Sequence, residues 1–146
     1  MARAPAVTDE RRKLRPAAWA HGAMDDERAF SYGLQVGNMV WVSGTTARDD
    51  RGEIVGKEDM EAQAQKCLEN IETILREAGG TRDDIVKLTV YLADRVYRDR
   101  FQQVRKRFFR PPYPASAMVI GTMVLPEYLV EIDAVAVLRT QGRSSS

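Results

Sequence analysis

Cysteine occurs once, at Cys67, and histidine once, at His21, in a chain of 146 residues. A single thiol closes no disulfide within the chain. One Cys and one His also supply too few ligands for a zinc centre and leave little room for a Ser-His-Asp arrangement, so no metal site is expected. An excess of one charge sign is missing too: 22 Lys plus Arg stand against 21 Asp plus Glu, for a net charge of +1. No global field directs the chain to nucleic acid or to a membrane, and a charge-driven partner must use a local patch. No stretch approaches the roughly 18 apolar residues that cross a bilayer, and no apolar core of an export signal follows the charged N-terminal residues. The sequence therefore reads as cytoplasmic. A Gly-rich nucleotide fingerprint, an internal repeat and a low-complexity run are absent as well.

What is present suits one globular domain, with a hydrophobic share of 44% and a charged share of 29%. Residues 1–26 mix Ala, Pro, Arg and acids without period and read as a mobile N-terminal arm; 27–140 read as the single domain and 141–146 as a flexible tail. Strands are expected over Ala29 to Val36 and Asn38 to Ser43, meeting at Gly37-Asn38, where positive φ is tolerated. Thr45 to Lys57 reads as a polar loop. Apolar residues at Met60, Ala64, Cys67, Leu68, Ile71, Ile74, Leu75 and Ala78 then predict a helix over Glu58 to Ala78, stopped by Gly79-Gly80. A capped turn over Thr81 to Asp84 leads into a strand over Ile85 to Ala93, with Val86, Leu88, Val90 and Leu92 on one face. A second helix is expected from Tyr97 to Phe109, ended by Pro111-Pro112, and two last strands over Ala117 to Val124 and Leu129 to Leu138.

The order β-β-α-β-α-β-β describes an α+β domain whose mixed sheet carries two helices on one face. The other face keeps Met39, Trp41, Val135 and Val137, an apolar patch of the kind that marks a subunit interface, so a homo-oligomer is expected.

Three constellations bear on chemistry. Alternation in the last strand places Glu131 and Asp133 on one face, where like-charge repulsion raises one pKa toward the range of a general base. The strand end Trp41-Val-Ser-Gly-Thr-Thr46 offers Ser43 and Thr45 hydroxyls around Gly44, which lets a ligand approach the backbone. The run Arg95 to Arg110 holds seven cations against Asp99, a local patch for phosphate, although Phe101 and Phe108 fall on the core stripe and leave no stacking ladder. Cys67 reads as a core residue and His21 as a bystander.

Val36-Gly-Asn-Met-Val-Trp-Val-Ser-Gly44, Gln65-Lys-Cys-Leu-Glu-Asn-Ile-Glu72 with Ala78-Gly79, Asp84-Ile-Val-Lys-Leu-Thr-Val-Tyr-Leu92 and Leu129-Val-Glu-Ile-Asp-Ala-Val-Ala136 together resemble the RidA/YjgF family over about residues 29–138. These are the reactive-intermediate deaminases, also described as perchloric-acid-soluble endoribonucleases. The resemblance implies a chorismate-mutase-like fold, a homotrimer with ligand clefts between subunits, and cofactor-independent hydrolysis of an imine or enamine to ammonia and a keto acid. It implies Glu131 as the catalytic glutamate, with Phe30, Ser43, Gly44 and Ser116 around the small-molecule substrate, to which the Thr45 hydroxyl adds a neutral hydrogen bond. Two positions depart from the pattern. Phe30 stands where active members commonly have Tyr, and Ser116, counted along Pro114-Ala-Ser-Ala-Met-Val-Ile-Gly121, stands where they have the arginine that binds the substrate carboxylate. Ser116 cannot form that bidentate charged pair, and Arg48 and Arg110 are the available substitutes. The alternatives are a non-catalytic metabolite-binding trimer and an RNA-binding or endoribonuclease-like translation inhibitor using Arg105 and Arg107.

Overall fold

A computed structural model of the chain describes residues 10–19 and 25–139. The strands are β1 (Arg12–Leu14), β2 (Gly33–Val36), β3 (Met39–Thr45), β4 (Ile85–Leu92), β5 (Ala115–Ile120) and β6 (Val130–Val137); the helices are α1 (Asp25–Arg28), α2 (Met60–Arg76) and α3 (Arg98–Phe108). One sheet runs in the order β1-β2-β3-β6-β4-β5, antiparallel throughout except for the parallel β4–β5 pair that α3 connects. The α+β architecture expected from the sequence is present, with α2 packed on β6 and β3, and α3 packed on α2.

Alternation along each strand divides the sheet into two faces. Val40 and Val42 of β3, Leu88, Val90 and Leu92 of β4, and Val130, Ile132, Ala134 and Ala136 of β6 are buried under the helices. Met60, Ala64, Cys67, Leu68, Ile71, Ile74 and Leu75 of α2 and Phe101, Val104 and Phe108 of α3 supply the opposing layer. Asp59 starts α2 by accepting the Ala62 amide at 3.0 Å, and Gly79 at φ 78° supplies the left-handed residue that ends it. On the uncovered face Trp41 keeps 43% exposure and Val119 45%, beside partly exposed Met39, Val135 and Val137.

Four expectations are corrected. The arm read over 1–26 is not free along its described part: Arg12–Leu14 pairs with Gly33–Gln35, Leu14 is buried, and Trp19 is 7% exposed against Tyr32. Its two anchors are too widely spaced to show a period. His21 and residues 141–146 lie outside the described residues. The strand read from Ala29 begins only at Gly33, since Ala29 takes φ 61° after α1. Val86 leaves the core face because the β4–β6 register shifts between Ile85 and Lys87, so Ile85 is buried and Val86 exposed. The strand read over Ala117 to Val124 likewise runs Ala115–Ile120.

The two helices are tied by a buried carboxylate. Glu72 Oε1 accepts from Arg82 Nη2 at 2.8 Å and Glu72 Oε2 from the Arg82 amide at 2.7 Å, while the Arg82 guanidinium lies 3.7 Å from the Phe108 ring centroid and donates to the Phe108 carbonyl. The hydrogen bonds from Arg82 hold the Glu72 carboxyl below its ordinary value against the opposing effect of burial. A carboxyl whose folded pKa is depressed stabilises fully above its unfolded value of about 4.3 and loses that contribution as pH falls through the folded one. Glu72→Gln should lower the unfolding free energy by about 1–2 kcal/mol at neutral pH, with solvent at the Arg82 side keeping it in the lower part of the range for charged hydrogen bonds. Urea melts of both proteins should converge as pH drops below the folded Glu72 pKa; a gap that persists in acid would show that the packing of residue 72 matters and its charge does not.

Candidate functional site

A cleft of about 640 Å³ opens where the end of β3, the start of β6 and the loop after β3 meet. Its foot is made by a slip in the sheet. Val42 pairs with Ala134 but Thr45 pairs with Ile132, so β3 carries one extra residue across Ser43-Gly44. That bulge sets Gly44 against the Glu131 side chain: a Cβ at residue 44 would lie 3.0 Å from Glu131 Oε2 and 3.1 Å from Cδ. Only glycine lets the backbone come this close without moving the carboxylate.

Glu131 is half-buried on the uncovered face beside Asp133 and Tyr91. Burial pushes its carboxyl above the ordinary glutamate value, and the Asp133 charge adds to the rise. Asp133 also faces the Tyr91 hydroxyl at 3.5 Å and, chiefly through its charge, raises the tyrosine pKa. Cys67 is fully buried, its thiol donates to the Val130 carbonyl at 3.8 Å, and burial pushes the thiol pKa up, which fits a core residue.

Aromatic rings form one wall. Phe30 and Tyr32 meet edge to face at 5.8 Å, and Trp19 meets Tyr32 at 5.4 Å. The opposite wall is the loop after β3, and buried polar groups of α2 fix it. Asn70 Nδ2 donates to the carbonyls of Thr46 at 3.1 Å and Arg48 at 2.8 Å. Gln63, fully buried, donates to the Gly56 and Glu127 carbonyls and accepts the Leu129 amide at 2.9 Å. These amides satisfy loop backbone that secondary structure leaves unpaired. Arg48 completes the wall, donating from Nε to the Tyr128 hydroxyl at 2.7 Å and from Nη1 to the Gly52 carbonyl.

Of the residues singled out from the sequence, Phe30, Gly44, Thr45 and Glu131 line this one cleft. Ser43 stands behind it. Its hydroxyl donates to the Ser31 carbonyl at 2.5 Å and its amide to the Tyr32 carbonyl at 2.9 Å, so it holds the aromatic wall in place. Ser116 is not brought to Glu131 within the chain. It pairs with Leu88 while Glu131 pairs with Tyr91, which puts the two on opposite faces. Ser116 instead lines a groove of about 310 Å³ between α3 and β5, where Arg105 donates to its Oγ at 2.8 Å. Arg110 is paired with Asp83 at 2.7 Å, away from the cleft. Arg107 faces Glu61 and Arg98 faces Asp99, and Phe101 and Phe108 are buried, so the basic run offers no exposed stacking rings. Among the described residues no group of three or more His, Cys, Asp or Glu is placed to hold a metal ion, and no helix is long and apolar enough to cross a membrane.

Arg28, Arg51, Trp19, Tyr32 and Tyr128 of the cleft escaped the sequence reading. Polar Gln63 and Asn70 on the buried side of an otherwise apolar helix were the available signal for the loop it clamps.

Comparisons with known proteins agree with this placement. The family described as Endoribonuclease L-PSP matches residues 21–138. A RutC family protein of Pyrococcus abyssi is 36% identical over 108 residues, covering 73% of this chain and 84% of that protein. Among solved structures, a candidate endoribonuclease of Thermotoga maritima superposes with a TM-score of 0.78 at 31% identity, covering 88% of this chain and 98% of that one. RidA from an Antarctic Psychrobacter superposes with a TM-score of 0.70 at 33% identity, covering 75% and 88%.

If Asp133 and burial both raise the Glu131 pKa, Asp133→Asn should lower it while leaving it above the ordinary value. Carboxyl carbon NMR titration of the two proteins reads this directly. A Glu131 pKa unchanged or higher in the variant would contradict the assignment.

Proposed function

The chain belongs to the RidA/YjgF family, the endoribonuclease L-PSP family, and from that premise we propose that it hydrolyses a reactive imine or enamine-type small metabolite in the cleft that ends at Glu131. The observation that carries the reading is the state of that carboxyl: half-buried, above its ordinary pKa, and lining a cleft of about 640 Å³. A carboxylate of raised proton affinity is a stronger base than an exposed one.

In the reaction, Glu131 accepts a proton from water as the water oxygen bonds to the C=N carbon. Proton transfer to nitrogen then breaks the C–N bond, releasing ammonia and leaving a carbonyl, so that imine plus water equals ketone plus ammonia. The aromatic wall of Phe30 and Tyr32 limits the substrate's size and solvent access, and Ser43 acts by positioning that wall. The residues supply proton transfer and orientation, and the mechanism calls on no other group. The exposed Trp41 and Val119 of the uncovered face fit the family's homotrimer, in which this face meets neighbouring copies.

Ammonia release from freshly generated imines is the direct test. Glu131→Gln should lose about 100-fold or more in kcat, the scale of a general base, while keeping the wild-type melting temperature. Wild-type kcat should rise with pH through the Glu131 pKa, because the protonated carboxyl cannot accept the proton. Thermal stabilisation by the same compounds with no ammonia above background would replace the enzyme with a metabolite-binding protein. Equilibrium sedimentation should give three times the chain mass, and a monomer would remove the trimer.

A further inference from the structure

The cleft carries more positive charge than the chemistry at Glu131 uses. Arg28, Arg48 and Arg51 line it, and Glu131 is the one acidic residue of its described wall. None of the three arginines forms an ion pair among the described residues, whereas Arg76, Arg82, Arg98, Arg107, Arg110 and Arg139 each face a carboxylate. Asp49, the acid nearest in sequence, is occupied by the amides of Arg51 and Glu53.

Arg48 is the fixed member of the trio. Its Nε is held by the Tyr128 hydroxyl and its Nη1 by the Gly52 carbonyl, its guanidinium carbon lies 5.3 Å from the Tyr128 ring centroid, and its own carbonyl is held by Asn70. All of these holds are neutral oxygens or a ring, so they order the side chain without cancelling its charge. Nη2 has no partner among the described residues. An ordered fork with an unused edge and an uncompensated charge is prepared for a carboxylate, since little further order is lost on binding. Glu131 lines the same cleft, half-buried beside Asp133. The cavity of about 640 Å³ has room for a small molecule against both the guanidinium and the carboxyl.

We propose that Arg48, flanked by Arg51 and Arg28, binds the carboxylate of the substrate within the same chain that supplies Glu131, so that the anion-binding task lies on the loop after β3 and not at Ser116 on β5. This rests on the deaminase reading only for the identity of the substrate as an imino acid. The competing location is the groove at Ser116, where Arg105 is held on the serine hydroxyl.

Calorimetric binding of pyruvate, with methyl pyruvate as its neutral counterpart, tests the assignment without needing turnover. Wild type should bind the acid and discriminate against the ester. Arg48→Met should weaken pyruvate binding about ten- to a hundredfold, the loss of a charge-assisted pair, and Arg48→Lys should restore part of it. Tyr128→Phe, which keeps Arg48 and frees its Nε, should weaken binding about threefold to tenfold. Arg105→Gln should bind as wild type does. Undiminished binding in Arg48→Met and Tyr128→Phe, a loss confined to Arg105→Gln, or equal affinity for acid and ester would each overturn the proposal. Where imino acids are turned over, Arg48→Met should raise KM and leave kcat within about threefold, with neutral imines unaffected. Pyruvate held through Arg48 without any turnover of imines would keep this proposal and remove the hydrolytic one.

Discussion

Everything in the cleft depends on the two-residue period of β6. This strand is central, antiparallel to β3 on one side and β4 on the other, and every second residue from Val130 to Ala136 is buried beneath α2. A one-residue slip would turn Glu131 and Asp133 into the core and expose four apolar side chains, so the register is fixed by burial alone. With Val130, Ile132, Ala134 and Ala136 committed inward, Glu131 has to stand on the uncovered face, next to whatever β3 presents there. The bulge at Ser43-Gly44 determines that it presents glycine.

The core also shapes the loops. α2 buries Gln63, Asn70 and Glu72 along with its apolar stripe, and each is satisfied by a segment outside the sheet: Gln63 by the turns at Gly56 and Glu127, Asn70 by the loop at Thr46 and Arg48, Glu72 by Arg82. Leaving a buried amide unpaired costs about 1–3 kcal/mol, so these loops are held with a firmness that surface loops normally lack. The same helix that closes the core therefore sets the position of Arg48 relative to Glu131. The Glu131 carboxyl and the Arg48 guanidinium belong to different elements, and α2 supports both.

How far the sequence alone could be read follows from the range of each signal. The alternation at 129–137 and the 3.6-residue stripe of α2 are dense local patterns, and they placed the central strand, the main helix and the face of Glu131. Gly44 and Thr45 were legible because a glycine between hydroxyls at a strand end marks close approach of the backbone. The part of the cleft formed by Trp19 and Arg28 was not, because a three-residue strand and one buried indole are too sparse to form a period, and their order comes from pairing with β2 and packing on Tyr32. Arg48 was visible only as an available cation; its fixing by Tyr128 spans 80 positions and has no local trace. Ser116 was located by counting along the chain, and counting does not reveal that its hydroxyl faces α3 and holds Arg105. Val86 shows the opposite limit, where a regular alternation concealed a bulge.

The central claim is that Glu131 and Arg48 address one small molecule in one cleft. A crystal structure with pyruvate bound tests it most directly. The account predicts the carboxylate on the free edge of Arg48 and the keto carbon turned toward Glu131, within about 3.5 Å of a water or carboxyl oxygen, the approach distance of reacting atoms. Pyruvate seated at Arg105 and Ser116, or lying in the cleft with its carboxylate toward Glu131, would contradict it.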